Sequence, residues 1–117
     1  GFGDQKAELS GGEIRMMAGA KARHNRVMLN IQLALVTRLR GSGCTPYGSD
    51  MGVRTGERTL RYPAVSVICG HDGPADDDER VFDDPRVVFE ILSAGTSRTD
   101  LREKVPEYQA LASVDTV

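Results

Sequence analysis

The sequence has no tryptophan, few aromatic residues and no long apolar run. Aromatic residues make up 5% of its 117 positions. No stretch approaches the roughly 20 apolar residues that a membrane-spanning helix needs, and residues 1–10 lack the apolar centre of a secretory signal. We therefore expect a soluble, unexported chain that works in the cytoplasm and has no membrane partner.

Cysteine is also scarce. The two cysteines, Cys44 and Cys69, lie far apart in strand-like stretches, without Cys-x-x-Cys spacing and without a histidine cluster nearby. We expect reduced, half-buried thiols. A structural disulfide and a metal-binding role are the alternatives.

No excess of one charge sign is present. The chain has 15 Lys and Arg against 17 Asp and Glu, a formal net charge of -2. Any attraction to nucleic acid must therefore depend on local charge. The length is enough for one hydrophobic core and too small for two, so residues 1–117 are expected to form a single domain.

The first half of the chain indicates a hairpin and a helix. Gly11 and Gly12 separate two short extended stretches, as in a tight β-hairpin. Residues 21–40 contain neither proline nor glycine and predict a helix. Apolar residues recur there at helical spacing, so we expect this helix to be largely buried.

The second half alternates strands, a loop and a helix. Residues 44–54 and 60–69 predict an antiparallel strand pair, and the acidic residues 70–85 predict a solvated loop. A buried strand is expected at 86–92, a helix through 101–111, and the start of another strand at 114–117. This order predicts an α/β or α+β domain with a mixed central sheet flanked by helices.

Glu90 is the unusual residue of the predicted buried strand. It interrupts the apolar sequence VVFEIL, where an unpaired carboxylate would cost several kcal/mol. The side chain can point outward or pair with an arginine, or it can belong to a functional site. Asp100, Lys104 and Tyr108 follow at intervals of four residues, which places them on one helix face. An Asp–Lys pair at this spacing is also an ordinary stabilising contact.

These stretches together resemble a known family. Residues 61–69 (RYPAVSVIC), 88–93 (VFEILS) and 96–100 (TSRTD), with Lys104 and Tyr108, are similar to the Uma-type family of putative restriction endonucleases. Members typically have Tyr-Pro-Asp-Val before a valine-rich strand, then Val-Glu-Val-Leu-Ser-Pro-Ser-Thr, then a helix with spaced Asp, Lys and Tyr. The similarity also includes Glu8 near the start and His24 at the beginning of the long helix.

The resemblance implies a restriction-endonuclease-like PD-(D/E)XK core that cuts DNA with magnesium. Glu90 matches the family's metal-binding glutamate, and Lys104 matches a lysine that assists catalysis. Ala64 stands where the family has the metal-binding aspartate, and a methyl group cannot bind magnesium. The resemblance thus implies an endonuclease whose metal site is weakened or lost.

Further residues are assigned supporting or substrate-binding roles. Glu8, Asp100 and Tyr108 are expected to support the site. Arg23 and Arg26, in a helix whose residues 21–40 include five basic and no acidic residues, are candidates for contacting DNA phosphates. His24 is expected to contact substrate. Solvation of a helix surface is the simpler explanation for the charges.

Two other functions remain open at this stage. The chain can be an inactive member that only binds nucleic acid, or a module that forms homodimers or higher homo-oligomers. Members of the family usually continue with another strand pair, so we also expect the C-terminal strands of the domain to be missing.

Overall fold

The computed structural model describes residues 6–17, 21–92 and 98–117. Two β-sheets and two helices make up this part of the chain, which confirms the predicted α+β class. The elements are β1 (Lys6–Ser10), β2 (Glu13–Met17), α1 (Ala22–Leu39), β3 (Cys44–Tyr47), β4 (Gly52–Gly56), β5 (Thr59–Arg61), β6 (Val65–Cys69), β7 (Val81–Phe82), β8 (Pro85–Phe89) and α2 (Arg98–Gln109).

The first sheet has the strand order β2-β1-β5-β4-β7. Its β1–β2 hairpin confirms the prediction: Gly11 and Gly12 have φ values of 56° and 90°, which a two-residue hairpin turn requires and glycine adopts without steric cost. The sheet is mixed because β7 joins β4 in the parallel direction, whereas the other pairs are antiparallel.

The second sheet has the order β3-β6-β8, with both pairs antiparallel. Its central strand β6 is the most deeply buried, with Val65, Ser66, Val67 and Ile68 all at most 4% exposed. At the end of the chain, Thr116 forms a single parallel bridge to Val87 of β8. The strand that was predicted to begin at residues 114–117 is therefore represented by this one bridge.

The predicted pairing of residues 44–54 with 60–69 is correct in direction, but the two stretches are divided between the two sheets. The first breaks at a turn in which Met51 N donates to Gly48 O at 3.2 Å. The second breaks at residues 62–64, where Pro63 has no backbone N–H for a ladder. Consequently β4 pairs with β5 and β3 with β6.

The prediction that the long helix is largely buried is wrong. Helix α1 forms where expected, but none of its residues is buried. One half-buried face packs on β3 and β6. The opposite face carries Leu29, Leu33 and Val36, which are 62%, 64% and 44% exposed, because no described element covers it. None of the described helices combines the length and hydropathy needed to cross a membrane.

The expectation of reduced thiols is also wrong. Cys44 and Cys69 form a disulfide between neighbouring strands. The β3–β6 register places the two residues directly opposite each other, with their Cα atoms 3.9 Å apart. The two cysteines are far apart along the chain, so their spacing did not predict this pairing. It forms because residues 44–54 divide into β3 and β4, and β3 then pairs with β6.

Candidate active site

Glu90 lies immediately after β8, next to the second helix. The hydroxyl of Tyr108, a fully buried side chain, donates to Glu90 Oε1 at 3.0 Å. Burial raises the pKa of Glu90 from its ordinary 4.5 to about 7, although the positive charge of Lys104 and the Tyr108 hydrogen bond lower it. The carboxyl group is therefore partly protonated near neutral pH.

Ala64 and Glu90 lie at the same end of the β6–β8 pair. Val65 pairs with Phe89 as the last pair of this antiparallel ladder, and Ala64 and Glu90 are the residues next to it on either strand. Ala64 is buried, at 6% exposure. The two positions that the family pattern assigns to metal ligands thus each adjoin the last pair of this ladder.

Side-chain alternation indicates which face these two positions share. Val88 lies two residues before Glu90 and packs with Tyr108 in the hydrophobic core. Every second residue of a strand points to the same side of the sheet. Ser66 pairs with Val88, so Ala64, two residues before Ser66, is expected on the same side as both. This face is the one covered by α2.

Lys104 provides a buried cation to the same region. It is 4% exposed, and its Nζ lies 2.8 Å from Glu8 Oε1 and 3.1 Å from Asp100 Oδ2. These partners and the nearby Glu90 raise the pKa of Lys104 despite its burial, so the amine is charged. Asp100, Lys104 and Tyr108 therefore do lie on one face of α2, as their spacing predicts, and that face is directed at Glu90.

Glu8 connects three parts of the site. Its Oε1 contacts Lys104, its Oε2 accepts a hydrogen bond from Tyr62 N at 2.8 Å, and Arg61 Nη1 is 3.6 Å from Oε1. Tyr62 stands two residues before Ala64. The predicted supporting residue thus uses both carboxylate oxygens for contacts within the protein.

Sequence reasoning missed Arg61 and Glu107. Arg61 is fully buried and donates to Glu107 through Nε and Nη2, both at 2.9 Å. Burial and this pairing have opposite effects on the pKa of Arg61, and the Glu107 contact prevails and raises it. Glu90 was singled out because it is a charged residue among apolar neighbours. Arg61 has the same feature in a weaker form, since it follows Leu60 and lies close to Pro63.

The predicted DNA-contacting residues lie on α1. Arg23 and Arg26 are exposed, and His24 is half-buried with Nδ1 lacking a hydrogen-bond partner among the described residues. No contact within the described ranges joins these three residues to Glu90 or Lys104. Their substrate-binding role remains a prediction.

The residues present do not form a ready metal site. Among residues 6–17, 21–92 and 98–117, no three His, Cys, Asp or Glu side chains are grouped so that they could hold an ion. Both oxygens of Glu8 are engaged, Ala64 offers no ligand, and the ammonium of Lys104 already neutralises nearby acids. The described residues therefore lack a group of free carboxylate oxygens of the kind that binds magnesium.

A separate acidic cavity of about 320 Å³ borders β7. His71 lies there between two carboxylates, with Nε2 2.8 Å from Asp84 and Nδ1 3.3 Å from Asp76. The carboxylates contact opposite edges of the imidazole ring, so they serve as its ion-pair partners and do not converge on one ligand. We therefore place the candidate active site at Glu90 and not at this cavity.

Comparisons with known proteins identify similar sequences and a similar fold. Residues 2–117 match the family described as "Uma2: Putative restriction endonuclease". A protein of Synechocystis sp., named "Uncharacterized protein sll1609", is 29% identical over 108 residues, which cover 92% of this chain and 61% of the relative.

A solved structure is also similar. The crystal structure of a putative nuclease belonging to DUF820 from Anabaena variabilis has a TM-score of 0.71 to this chain at 16% identity, and the match covers 88% of this chain and 60% of the other. At this identity the likeness shows the fold. The chain spans about three fifths of the length of each of these proteins.

Proposed function

The chain belongs to the Uma2 family, and from that premise we propose that it is a DNA endonuclease domain whose metal site is impaired at Ala64. The proposed reaction is hydrolysis of a DNA phosphodiester bond. Magnesium, when bound, would neutralise charge on the phosphate and supply an activated water. Because the donor set lacks one ligand, we propose that the chain as it stands binds magnesium weakly or not at all.

The position of Ala64 and Glu90, each next to the last pair of the β6–β8 ladder, supports this proposal most. An aspartate at position 64 would place a second carboxylate beside Glu90, on the face covered by α2. Lys104, buried and charged, could then stabilise negative charge that develops on a scissile phosphate. Tyr108 would hold the Glu90 carboxylate in a fixed orientation through its hydroxyl.

The test is to restore the aspartate. We expect A64D to bind Mg²⁺ in isothermal titration calorimetry and to nick supercoiled plasmid DNA in a magnesium-dependent way. A64N is the matched control, because asparagine has the same shape without the charge. The double variant A64D/E90Q should lose both binding and nicking. A folded A64D protein that neither binds Mg²⁺ nor nicks DNA would refute the proposal.

A second candidate function is an inactive module that binds nucleic acid or associates with itself. Its support is the surface of α1, where the exposed Arg23 and Arg26 lie on a helix that also exposes Leu33. For DNA binding we expect R23A/R26A to weaken the affinity and its dependence on salt. Each lost phosphate contact reduces the slope of log affinity against log salt concentration by about one. R15A, which removes an exposed arginine from β2, is the control.

Self-association needs a different measurement. Light scattering after size-exclusion chromatography gives the mass in solution, and L33Q should convert any dimer that uses this face into a monomer. A monomeric wild-type chain with no measurable DNA affinity would exclude the second candidate function.

A cytoplasmic location is also part of the proposal. The Cys44–Cys69 disulfide argues against it, because disulfides persist mainly in oxidising compartments. Free thiols can be counted by rapid alkylation of protein taken directly from cells. Two free thiols per chain would support a reducing location, and zero free thiols would contradict it.

A further inference from the structure

Arg61 is the most completely buried charged residue that the structure describes, and its contacts reach three elements. At the end of β5, it donates twice to Glu107 of α2 and once to Ser10 Oγ of β1, at 3.2 Å. Its remaining Nη1 is buried without a hydrogen bond and points toward Glu8, 3.6 Å away. One guanidinium group thus joins β1, β5 and α2.

Helix α2 is held by one buried aromatic side chain and by polar contacts. Of its described side chains only Lys104 and Tyr108 are buried: Tyr108 packs with Val53 and Val88, and Lys104 forms ion pairs. Glu107 is held by Arg61 and also accepts a hydrogen bond from Thr55 Oγ1 at 2.7 Å. Glu107 lies between Lys104 and Tyr108 in sequence, so its anchor is on the same part of the helix as both of those side chains.

We propose that Arg61 is a positioning residue, which through Glu107 and Glu8 fixes Lys104 and Tyr108 relative to Ala64 and Glu90. The inference rests on the proposed function for its catalytic consequence, since Arg61 itself is buried and touches no substrate. Its geometric part, that Arg61 determines where α2 and Lys104 stand, is independent of any activity.

A role in stability alone does not account for the arrangement. Buried ion pairs can often be replaced by apolar residues of similar volume without loss of stability, whereas a planar guanidinium that binds a carboxylate through two bonds also fixes its orientation. Arg61 satisfies both Glu107 oxygens at the same distance of 2.9 Å, which is the geometry that fixes a helix in rotation as well as in distance.

The first experiment measures α2 in the chain as it exists. We expect amide hydrogen exchange of α2 to become about tenfold faster in E107Q and R61M, while β6 and β8 keep their protection. The NMR signal of the Lys104 ammonium, which survives only while the group is buried and hydrogen-bonded, should weaken or vanish. R15M is the matched control, because Arg15 also pairs with α2, through Glu103, but is exposed.

The second experiment uses the A64D background and separates position from stability. We expect E107Q to lower kcat by about 100-fold while KM for DNA changes less than about twofold, because a small displacement of Lys104 affects only the reacting arrangement. The apolar pair R61M/E107L should recover the melting temperature without recovering kcat. R15M should keep kcat.

The two experiments fail in different ways. If a folded A64D protein neither binds Mg²⁺ nor nicks DNA, the proposed function is refuted. The hydrogen exchange of α2 and the NMR signal of Lys104 still decide the role of Arg61. If R61M does not fold, E107Q, which leaves Arg61 in place, provides the same readouts. Unchanged α2 exchange and an unchanged Lys104 signal in E107Q would overturn the inference, as would full kcat in R61M/E107L.

Discussion

Replacing Glu90 with glutamine is expected to stabilise the protein at neutral and alkaline pH. Glutamine has the shape of protonated glutamic acid and can still accept the Tyr108 hydrogen bond, so E90Q removes only the ability to ionise. The substitution therefore isolates the free energy required to hold a charged carboxylate in this partly apolar site.

The magnitude follows from the pKa of Glu90. Burial raises this pKa from 4.5 to about 7, and at ~1.4 kcal/mol per pH unit the difference corresponds to ~3 kcal/mol. Because the folded-state pKa lies above the unfolded one, the stabilising contribution is complete below the unfolded value and is lost as the pH rises through the folded value. Above about pH 7, the wild-type protein should therefore be less stable than E90Q by ~3 kcal/mol.

Urea denaturation of both proteins from about pH 4 to about pH 8, in metal-free buffer, tests this expectation. The two stabilities should agree at the acidic end and diverge as the pH rises. Contributions of ionisable groups that do not interact with Glu90 are common to both proteins and cancel in the difference. Lys104 and Tyr108, whose pKa values Glu90 raises, stay protonated throughout this pH range. A constant difference between the two curves, or an E90Q protein that is the less stable one at alkaline pH, would refute the reasoning.

Three further outcomes are expected. L33Q should change the unfolding free energy by less than about 0.5 kcal/mol in urea titrations, because Leu33 is 64% exposed; a loss typical of a core residue would contradict the exposed face of α1. Reduction of the Cys44–Cys69 disulfide should lower the unfolding free energy by ~3 kcal/mol, since the bond closes a loop of 25 residues, and C44A/C69A should not respond to reductant. Hydrogen bonding to Asp84 raises the pKa of His71, so an NMR titration should give a midpoint above 6.5. Any stability that this contact adds should decline as the pH rises through the pKa of the folded protein. A midpoint at or below 6.5 would argue against the contact.

Part of the candidate site could be predicted because its signals are local. A carboxylate within VVFEIL is improbable without a partner, and Asp100, Lys104 and Tyr108 must share a face if 98–109 is a helix. The sequence did not predict which part of the molecule this face of α2 would contact. The direction of the face is set by contacts between residues far apart along the chain, such as Tyr108 with Glu90, Lys104 with Glu8 and Arg61 with Glu107.

The predicted burial of α1 was wrong for a related physical reason. Helical spacing of apolar residues shows that a helix forms and has an apolar side, but it does not reveal how much of that side finds a partner. Two strands of the second sheet are enough to cover one face, and Leu29 and Leu33 fall outside it.

The class of fold, the hairpin at Gly11 and Gly12, the extent of α1 and the family could be predicted from the amino-acid sequence, because each depends on residues close together or on a motif in fixed order. Only the folded chain shows that Ala64 and Glu90 adjoin the same end of a strand pair, that Cys44 meets Cys69, and that Arg61 connects three elements. These facts depend on strand register and helix docking, which are set by long-range contacts that no local pattern encodes.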